Sequence, residues 1–517
     1  MKKPSHPLRL IRTVLAVFFF TVITLLFLGI GGTFNVWFGW AAKIQFLPAL
    51  MALDFAVLAG LLLLTLLFGR LYCSVICPLG VMQDLFGWMG KKQKKNRYSF
   101  SPEKKWLRYS VLAVFIVCLV IGFAPVTTLL APYSAYGRIV HSLFGPLYDL
   151  LRNAIASVDA HYEWNMIPEK ELWLRSVTVP VVALLTLVLL GVLAWRNGRT
   201  YCNTVCPVGT ILSFFARFSL FRVQMDKSKC KNCSLCEKNC KASAINYKDG
   251  TVDYTRCIAC GDCLDQCHFD ALHYRALTLK DRSAEREKTA DAERAKTASL
   301  KDKSQRQPDK GRRAFLAGSL LAIGSAAIAQ TKIKVDGGLA EIEDKKAPQR
   351  HTPVTPPGSL SARNMLKHCT ACQLCVSACP NNVLRPSSDP LRFMQPEMSF
   401  ERGFCRPECT RCSQVCPTGA IRPIQPEDKT AIHIGHAVWI ADNCIPVANG
   451  DSCGACARHC PAWAIQMVEY TTPDGRKAEV PAIDTEKCIG CGKCEHLCPA
   501  RPFSAIYIEG NTTHQIK

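Results

Sequence analysis

The residues in this sequence with the clearest capacity for chemistry are its cysteines, 29 in a chain of 517 residues. Two groups of four follow the spacing C-x2-C-x2-C-x3-C, in which the two-residue gaps let three thiolates wrap one cubane cluster. The three-residue gap then directs the fourth thiolate to a neighbouring cluster. This spacing favours iron–sulfur clusters over zinc, the alternative metal. The predicted [4Fe–4S] ligand sets are Cys230, Cys233, Cys236 with Cys267, and Cys257, Cys260, Cys263 with Cys240.

Four further groups of four cysteines occupy the C-terminal third of the chain. Two keep the strict spacing, one opens with an extra residue and one with a longer loop, but a proline follows the final cysteine in all four. They raise the predicted total to six [4Fe–4S] clusters, and domains built around so many clusters should need them for stability. Their members are Cys369, Cys372, Cys375, Cys379; Cys405, Cys409, Cys412, Cys416; Cys444, Cys453, Cys456, Cys460; and Cys488, Cys491, Cys494, Cys498.

A short motif occurs twice nearer the N-terminus, as GRLYCSVICPLG at 69–80 and GRTYCNTVCPVG at 198–209. Each copy presents two cysteines spaced i, i+4, which places them on one face of a helix. Two interpretations are open: the four thiols converge as a seventh redox or metal centre, or they are small buried residues or disulfides. The four cysteines are Cys73, Cys77, Cys202 and Cys206.

Apolar residues make up 49% of the chain and are concentrated in its first two hundred positions. Four apolar stretches have about the 20 residues that a helix needs to cross a bilayer. We therefore predict four spans, at 10–31, 46–68, 107–131 and 174–195. Lysines and arginines flank the first span on its N-terminal side and follow the second and fourth spans. By the positive-inside rule these segments are cytoplasmic.

The chain is basic, with 63 Lys and Arg against 41 Asp and Glu, and a basic balance can indicate nucleic-acid binding. Four thiolates around a cubane leave roughly two net negative charges per cluster, which offsets much of the excess. We therefore predict no nucleic-acid partner. The sequence contains no Walker loop, dinucleotide fingerprint, haem-attachment motif or nucleophile elbow. This pattern indicates a carrier of electrons that leaves bond chemistry to another protein.

Between the two cluster regions lies a charged segment at 276–311 with no core of its own, which is typical of a linker. It is followed at 312–330 by Arg312 and Arg313, a modest apolar run and the small-residue pattern Ala327-Ile328-Ala329. This arrangement resembles an internal twin-arginine export signal, and an exported domain would cross already loaded with clusters. An ordinary fifth span or a buried helix is the alternative.

These features define the predicted fold class: a four-span membrane α-helical domain plus one signal or anchor helix, with two α+β domains of the bacterial ferredoxin type. The predicted boundaries are 1–225 for the membrane domain, 226–275 for the two-cluster domain, 276–311 for the linker, 312–330 for the signal or anchor, and 331–517 for the four-cluster domain. We expect a multi-pass protein of the bacterial inner membrane. The N-terminus and two-cluster domain should be cytoplasmic and the four-cluster domain periplasmic.

The first 275 residues resemble the NapH family of membrane polyferredoxins, and also the membrane half of NosR. The shared features are four spans, two GR-x-YC-x3-CP motifs and a two-cluster tail. From Arg312 onward the chain resembles NapG, an exported protein with four cubane clusters. This resemblance implies oxidation of quinol, with electrons passed to a periplasmic reductase or cytochrome, so the membrane and its quinone pool become expected partners.

The resemblance also implies a nested pairing of ligands in the last domain. The outer sets would be Cys369, Cys372, Cys375 with Cys498, and Cys488, Cys491, Cys494 with Cys379. The inner sets would be Cys405, Cys409, Cys412 with Cys460, and Cys444, Cys453, Cys456 with Cys416.

The function predicted from these features is membrane-bound electron transfer, as a component of a quinol dehydrogenase or as a plain electron carrier. An assembly or maturation factor is the alternative, because CcoG-like membrane ferredoxins share a similar cysteine motif. A structural organiser whose clusters only support the fold is a third interpretation. The long exported cluster module favours respiratory electron transfer.

One carboxylate, Asp54, falls within the second predicted span, where ionisable side chains usually mark function. Oxidation of quinol releases protons as well as electrons, and Asp54 is the candidate catalytic acceptor. The alternative is a structural hydrogen bond or a position close to the membrane interface.

Overall fold

The computed structural model describes residues 7–30, 32–93, 98–163, 166, 176–277, 343–473 and 475–517. The predicted signal or anchor at 312–330 and the predicted linker beyond residue 277 lie outside these ranges. The chain divides into two units, of which one comprises Met1–Arg275 together with Lys345–Lys517.

The described residues of the N-terminal part of the unit form helices joined by short loops, with a π-helical turn at Val140–Phe144. Short helices alternate with longer apolar ones, because prolines and glycines repeatedly stop helices and start new ones. The helices are Pro7–Leu28 (α1), Gly32–Phe38 (α2), Trp40–Lys43 (α3), Phe46–Met51 (α4), Phe55–Phe68 (α5), Leu71–Val75 (α6), Pro78–Lys92 (α7), Lys105–Ile121 (α8), Ala124–Leu130 (α9), Pro132–Ile139 (α10), Gly145–His161 (α11), Thr178–Asn197 (α12), Thr200–Thr204 (α13) and Pro207–Ala216 (α14).

Among the described helices, α1 and α12 are long and apolar enough to cross a membrane. The expectation of unbroken helices at 46–68 and 107–131 was wrong. The first stretch breaks before Asp54, which caps the start of α5 by accepting a hydrogen bond from the Val57 amide at 3.2 Å. The second stretch breaks at Gly122, whose φ of 82° ends α8, and α9 then begins with Pro125 in its first turn. Local capping chemistry therefore overrides the apolar pattern in both stretches.

The two-cluster region forms small paired strands and single-turn helices. In the described residues β1 pairs with β4, and β2 pairs antiparallel with β3. Its elements are Phe221–Met225 (β1), Leu235–Lys238 (α15), Ile245–Asn246 (β2), Thr251–Val252 (β3), Asp262–Gln266 (α16) and Leu272–Ala276 (β4). This is the predicted α+β ferredoxin architecture.

The four-cluster region repeats that architecture at larger size, with antiparallel pairs β5–β6, β7–β10 and β8–β9 among the described residues. Single 3₁₀ turns occupy Asp428–Ala431 and Ala441–Asn443. The other elements are Ala362–His368 (α17), Leu374–Ala378 (α18), Leu384–Pro386 (β5), Pro396–Met398 (β6), Arg411–Val415 (α19), Ile432–Trp439 (β7), Ile445–Ala448 (α20), Ala455–Arg458 (α21), Ile465–Thr471 (β8), Lys477–Ile483 (β9), Lys493–Leu497 (α22) and Ile506–Ile516 (β10).

The four cysteine groups with strict spacing share one backbone geometry. In each group, two residues have left-handed φ angles. One lies just before the second cysteine, and the other lies just after it. The second of these residues also caps the short helix that carries the third cysteine. Left-handed residues turn the chain sharply, so the three thiols of a group can face a common centre. The residues are Asn232 and Ser234, Ala259 and Gly261, Ala371 and Gln373, and Gly490 and Gly492.

Helix α1 contacts the two cluster regions at its opposite ends. Near its start, the Nε of Arg9 lies 3.4 Å from an Asp262 carboxylate oxygen in the two-cluster region. Just past its end, Gly29 lies so close to the four-cluster region that an added Cβ would be 2.9 Å from the Ser377 carbonyl oxygen. A helix of this length spans about 33 Å. The two cluster regions therefore meet opposite ends of one helix.

Candidate metal centres

The clearest site in the two-cluster region is a cavity lined by four thiols and by apolar side chains that include Val223, Ile245 and Ile258. Three of the thiols come from one cysteine group and the fourth comes from the other group. This is the exchange predicted from the spacing, and the thiols are Cys240, Cys257, Cys260 and Cys263. In the first group, Cys230 and Cys233 lie close enough to Cys236 to influence its ionisation.

Two similar cavities occur in the four-cluster region, and each is again lined by three thiols of one group and one of another. One is formed by Cys405, Cys409, Cys412 and Cys379, and the other by Cys444, Cys453, Cys456 and Cys498. Of the remaining cysteines, Cys416 lies near Cys369, Cys372 and Cys375, and Cys460 lies near Cys488 and Cys491.

This arrangement differs from the nested pairing that the resemblance implied. The structure places Cys416, rather than Cys498, beside the Cys369 group, and it places Cys460, rather than Cys379, beside the Cys488 group. The physical reason is local packing: α18 contacts α19, and α21 contacts α22. Consecutive cysteine groups therefore face each other and exchange fourth ligands, as they do in the two-cluster region. The corrected sets are Cys369, Cys372, Cys375 with Cys416; Cys405, Cys409, Cys412 with Cys379; Cys444, Cys453, Cys456 with Cys498; and Cys488, Cys491, Cys494 with Cys460.

The surroundings of these thiols suit an anionic cluster. Burial raises the pKa of Cys257 and of Cys491 to about 12, so the metal-free thiols hold their protons and release them when a metal binds. Backbone amides donate to several fourth-ligand sulfurs at 3.3–3.4 Å, an interaction that stabilises thiolate and tunes a cluster's potential. These bonds run from Ala244 to Cys240, Ala271 to Cys267, Ile421 to Cys416, Ala464 to Cys460 and Ala505 to Cys498.

A buried cation supports the same conclusion in the four-cluster region. Lys429 is 6% exposed, and its ammonium lies 3.2 Å from the Cys405 sulfur. It also donates to the carbonyl oxygens of Arg406 and Cys409. A buried ammonium needs a nearby anion, which a thiolate-ligated cluster provides. Within the described ranges, no three His, Cys, Asp or Glu side chains surround a point tightly enough for a single metal ion. Each of the three cysteine-lined cavities presents four thiols, the ligand set of a [4Fe–4S] cluster.

The repeated motif of the helical part brings its four thiols together. Cys73, Cys77, Cys202 and Cys206 are 5–6% exposed, and each of Cys77, Cys202 and Cys206 interacts electrostatically with others of the four. The first cysteine of each motif lies in a one-turn helix, α6 or α13, and the second caps the helix that follows, α7 or α14. The thiols are therefore buried together, with no disulfide between described cysteines. A redox or metal centre and small buried residues both stay open as interpretations of the motif.

Two arginines cross between the copies of the motif. Arg70 donates to the Cys202 carbonyl at 3.0 Å and lies 3.8 Å from its own motif's Cys73 sulfur. Arg199 donates to the Cys73 carbonyl at 2.6 Å and lies 3.9 Å from the Cys202 sulfur. Both side chains are completely buried. The reciprocal pattern gives the site an approximate twofold symmetry, with a guanidinium on each side of the thiols.

The glycine that ends each motif is explained by this crossing. A Cβ at Gly80 would lie 2.3 Å from the Cys73 carbonyl oxygen and 2.5 Å from Arg199 Nη1. At Gly209 it would lie 2.3 Å from the Cys202 carbonyl oxygen and 2.7 Å from Arg70 Nη2. The repeated motif letters already pointed to Arg70, Arg199, Gly80 and Gly209. The prediction of a site from the sequence used only the cysteines.

Asp84 is a further site residue that sequence reasoning missed. Its carboxylate pairs with Arg199 Nε at 2.7 Å, Lys241 Nζ at 3.0 Å and Arg12 Nη2 at 3.2 Å. Burial alone would raise the pKa of Asp84, but the charges of Arg199 and Lys241 outweigh burial and hold the pKa below its usual range. One acid on the mixed face of α7 gives no sequence signal for this role.

The motif site contacts the two-cluster region directly. Arg70 Nη1 donates to the carbonyl oxygen of Thr255, two residues before Cys257, at 3.1 Å. The Asn203 side-chain amide donates to the carbonyl oxygen of Ala242, two residues after Cys240, at 3.0 Å. Ala242 lines the cavity formed with Cys240 and Cys257, and Thr255 lies on the chain just before Cys257, so this cluster site and the motif site are neighbours.

On its other side the motif site approaches the four-cluster region through buried aromatic residues. The Tyr72 hydroxyl lies near the thiols of Cys73, Cys77 and Cys206. The Tyr133 hydroxyl on α10 lies near Tyr72 and near the thiols of Cys372 and Cys416. The Tyr133 hydroxyl is buried and has no hydrogen-bond partner among the described residues.

The structure places Asp54 differently from the position predicted for it. Asp54 lies at the start of α5 and caps that helix. It is flanked by Leu53 and Phe55, which are 66% and 74% exposed. The cap accounts for a carboxylate at this position without any proton transfer, so the capping role and the proposed proton-accepting role now compete.

Comparison with protein-family models shows the class of protein to which this chain belongs. A family model described as a 4Fe-4S dicluster domain matches residues 368–420 and 451–501, and a second model with the same description matches 253–383. A model described as a 4Fe-4S binding domain matches 51–96 and 178–225, which contain the repeated motif. The chain is therefore a multi-cluster [4Fe–4S] electron-transfer protein of the ferredoxin type.

The individual relatives narrow this class. The methylamine utilization ferredoxin-type protein MauM of Methylobacillus flagellatus is 32% identical over 31% of this chain and 70% of its own length. The ferredoxin-type protein NapG of Escherichia coli is 31% identical over 37% of this chain and 83% of its own length. The chain belongs to the family of ferredoxin-type proteins that includes NapG and MauM. No solved structure matches it.

Proposed function

We propose that this chain is a membrane-bound electron-transfer protein that holds six [4Fe–4S] clusters and connects the quinol pool with a periplasmic redox partner. The observation that supports it most directly is the recurrence of cysteine-lined cavities in two regions that contact opposite ends of α1. When bound, the clusters supply one-electron oxidation and reduction. The cysteines hold them, and the buried amides and cations set their charge environment.

The membrane part of the proposal keeps the predicted domain boundaries and the NapH-like and NosR-like character of the first 275 residues. Helices α1 and α12 are its full-length spans, while α5 and α8 are shorter apolar helices supplemented by α4 and α9. The N-terminus and the two-cluster domain lie in the cytoplasm, and the four-cluster domain lies in the periplasm. The placement of the two cluster regions at opposite ends of α1 supports this assignment.

Cluster content is the first test of the proposal. Anaerobically purified protein should contain at least 24 iron and 24 acid-labile sulfide atoms, four of each for every complete cysteine group. Zinc at comparable levels, or iron near half that amount, would contradict the proposal. The expected ligands are the 24 cysteines assigned above.

Sidedness is the second test. Reporter fusions placed after residue 275 and at the C-terminus should report opposite sides of the membrane. Replacing Arg312 and Arg313 by Lys should retain the last domain in the cytoplasm, because twin-arginine signals depend on the guanidinium pair. Unchanged export of the double variant would disprove the signal.

We also propose that Asp54 accepts a proton when quinol is oxidised. Its half-buried carboxylate lies among exposed apolar side chains, where a membrane-dissolved quinol can approach. Asp54→Asn removes the ionisable group but keeps an oxygen that can cap α5. Slower quinol-dependent cluster reduction with normal folding and iron content would support the proposal, and unchanged reduction would leave Asp54 as a cap alone.

A further inference from the structure

We infer that Cys73, Cys77, Cys202 and Cys206 together bind one iron–sulfur centre, and that this centre links the two cluster regions electronically. The inference rests on the proposed function, because it assigns the connection between the two sets of clusters. It adds a seventh centre to the six that the ferredoxin-type cysteine groups predict.

The first reason is the ligand set. Four thiols from two symmetric segments converge in a buried site, and each of the last three interacts with others of the set. Four thiolates are the complete ligand set of both [2Fe–2S] and [4Fe–4S] clusters. Cys118, the remaining cysteine, lies on α8, outside both copies of the motif.

The second reason is charge. Arg70 and Arg199 are completely buried on either side of the thiols. Arg199 has a carboxylate partner in Asp84, but the oxygen acceptors of Arg70 among the described residues are neutral groups of Asn203, Thr255 and Cys202. Nitrogen atoms Arg70 Nε and Arg199 Nη2 are buried without a partner in the described part of the chain. A desolvated guanidinium is costly unless an anion is close. A centre with four thiolates carries roughly two net negative charges and supplies that anion.

The third reason is position. The motif site is hydrogen-bonded to the backbone beside Cys240 and Cys257 on one side. On the other side, the buried Tyr72 interacts electrostatically with Cys73, Cys77 and Cys206, and the buried Tyr133 interacts in the same way with Tyr72 and Cys372. A second route of buried groups runs in parallel, since Tyr201 lies near Cys202 and Cys206 and Arg138 lies near Tyr201 and Cys372.

The backbones of the two regions also approach closely at this point. A Cβ added at Gly137 on α10 would lie 2.4 Å from the Cys372 carbonyl oxygen. An electron that reaches the motif centre from the two-cluster region therefore has a short buried path to the Cys369 group. Each transfer oxidises one centre by one electron and reduces the next by one, without a proton or a bond change.

The first experiment counts metal in the full chain, purified anaerobically. We expect 26 iron atoms if the centre is [2Fe–2S] and 28 if it is [4Fe–4S], against 24 for the six cysteine groups alone. The double variant Cys73→Ser/Cys202→Ser should lose about two or four iron atoms, and the control Cys118→Ser should lose none. Wild-type protein with 24 iron atoms, or one zinc ion lost with the double variant, would overturn the inference and leave the six-cluster proposal intact. Wild-type iron far below 24 would instead refute the proposed function.

A second variant keeps every thiol in place, in case the double variant fails to fold. Arg70→Met removes a buried positive charge next to the centre, so the reduced form is stabilised less and the midpoint potential of the centre should fall. The signals of the six other clusters should keep their potentials. A merely structural Arg70 would leave every potential unchanged, and that result would overturn the inference.

The link itself can be tested in liposomes of phosphatidylcholine and phosphatidylglycerol, where dithionite reaches only the outward-facing cluster region. Wild-type protein should be reduced completely in a fast phase, whichever way each molecule is inserted. In Cys73→Ser/Cys202→Ser, or in Tyr133→Leu if the double variant does not fold, the inward-facing clusters should lose this fast phase and regain it in detergent. Equally fast, complete reduction of the variant would overturn the linking role.

Discussion

The two copies of the repeated motif use the same letters but compensate their buried arginines differently. Arg199 is paired with the Asp84 carboxylate, whereas Arg70 is paired with the neutral Asn203 side chain. The residue at the Asp84 position in the second copy, eleven residues after the first cysteine, is Ser213. Duplication therefore preserved the crossed arginines and glycines, while the counter-charge was placed on one side only. One arginine is neutralised by a carboxylate of the protein, and the other has only neutral groups as oxygen acceptors among the described residues.

The largest loss of stability should follow removal of the Asp84 charge, which neutralises Arg199. Asp84→Asn leaves Arg199, Lys241 and Arg12 without their shared carboxylate, and breaking a buried ion pair in this way costs about 3–5 kcal/mol of folding free energy. The thermal unfolding midpoint in detergent should fall markedly. Glu486→Gln, at a carboxylate that is 87% exposed, is the control and should change it little.

The ion pair between Asp84 and Arg199 also predicts how stability depends on pH in acid. Since the folded-state pKa of Asp84 lies below the unfolded value, its contribution is present above about pH 4 and is lost as the pH falls further. Wild-type protein should lose more stability than Asp84→Asn below that pH. Parallel pH profiles of the two proteins would contradict this assignment.

The next largest loss of stability should come from substituting the glycine that ends each motif, and it should be equal in the two copies. Gly80→Ala and Gly209→Ala each force a methyl group to 2.3 Å from a carbonyl oxygen and into the opposite arginine, which should cost about 3 kcal/mol. Gly60→Ala is the matched control, because no atom lies within 4 Å of the added Cβ. A difference between Gly80→Ala and Gly209→Ala in unfolding midpoint would show that the halves are less symmetric than their contacts indicate.

A smaller loss of stability is expected around Arg70, whose side-chain partner Asn203 is neutral. Asn203→Ala removes the acceptor for Arg70 at 2.7 Å and the donor to the Ala242 carbonyl. Loss of these buried hydrogen bonds should cost about 1–3 kcal/mol, less than Asp84→Asn. Asn203→Asp sharpens the comparison, because it gives Arg70 the carboxylate that Arg199 already has. A lower midpoint potential of the motif centre in Asn203→Asp would locate that centre beside Arg70.

The smallest effect concerns the helix that precedes the first motif. Asp54→Ala removes the cap of α5 and should cost about 1 kcal/mol, whereas Asp54→Asn should cost nearly nothing. Helix α12 precedes the second motif and has no side-chain cap at its start, so Val177→Ala is a neutral comparison there. Equal unfolding midpoints for Asp54→Ala and Asp54→Asn would remove the cap as an explanation for the carboxylate.

Short-range features of this molecule could be predicted from the sequence, and long-range ones could not. The spacing of Cys257, Cys260 and Cys263 fixes three ligands locally, and the exchange with Cys240 follows from the three-residue gap. The partner of the Cys369 group depends on which helices pack together, and spacing alone does not encode that. Asp84 lies outside both motif copies, so its pairing with Arg199 across 115 positions had no local signal.

Two of the predicted spans are interrupted for a different reason. Hydropathy averages over a window and therefore passes over single residues that stop a helix. Asp54 before an apolar run is a recognisable N-cap signal, and Gly122 followed by Pro125 is a recognisable break. Reading these residues before the apolar pattern would have predicted both interruptions.

In the proposed membrane setting, the contacts at the two ends of α1 constrain how the protein adapts to membrane thickness. A free transmembrane helix adjusts to its bilayer by tilting, typically by about 20°. Helix α1 is held near its start by Asp262 and just past its end by Ser377, so its tilt is set by the protein. Its length of about 33 Å is slightly greater than the roughly 30 Å hydrocarbon core of a typical bilayer. The surrounding lipid, and not the helix, must therefore stretch or compress to remove the mismatch.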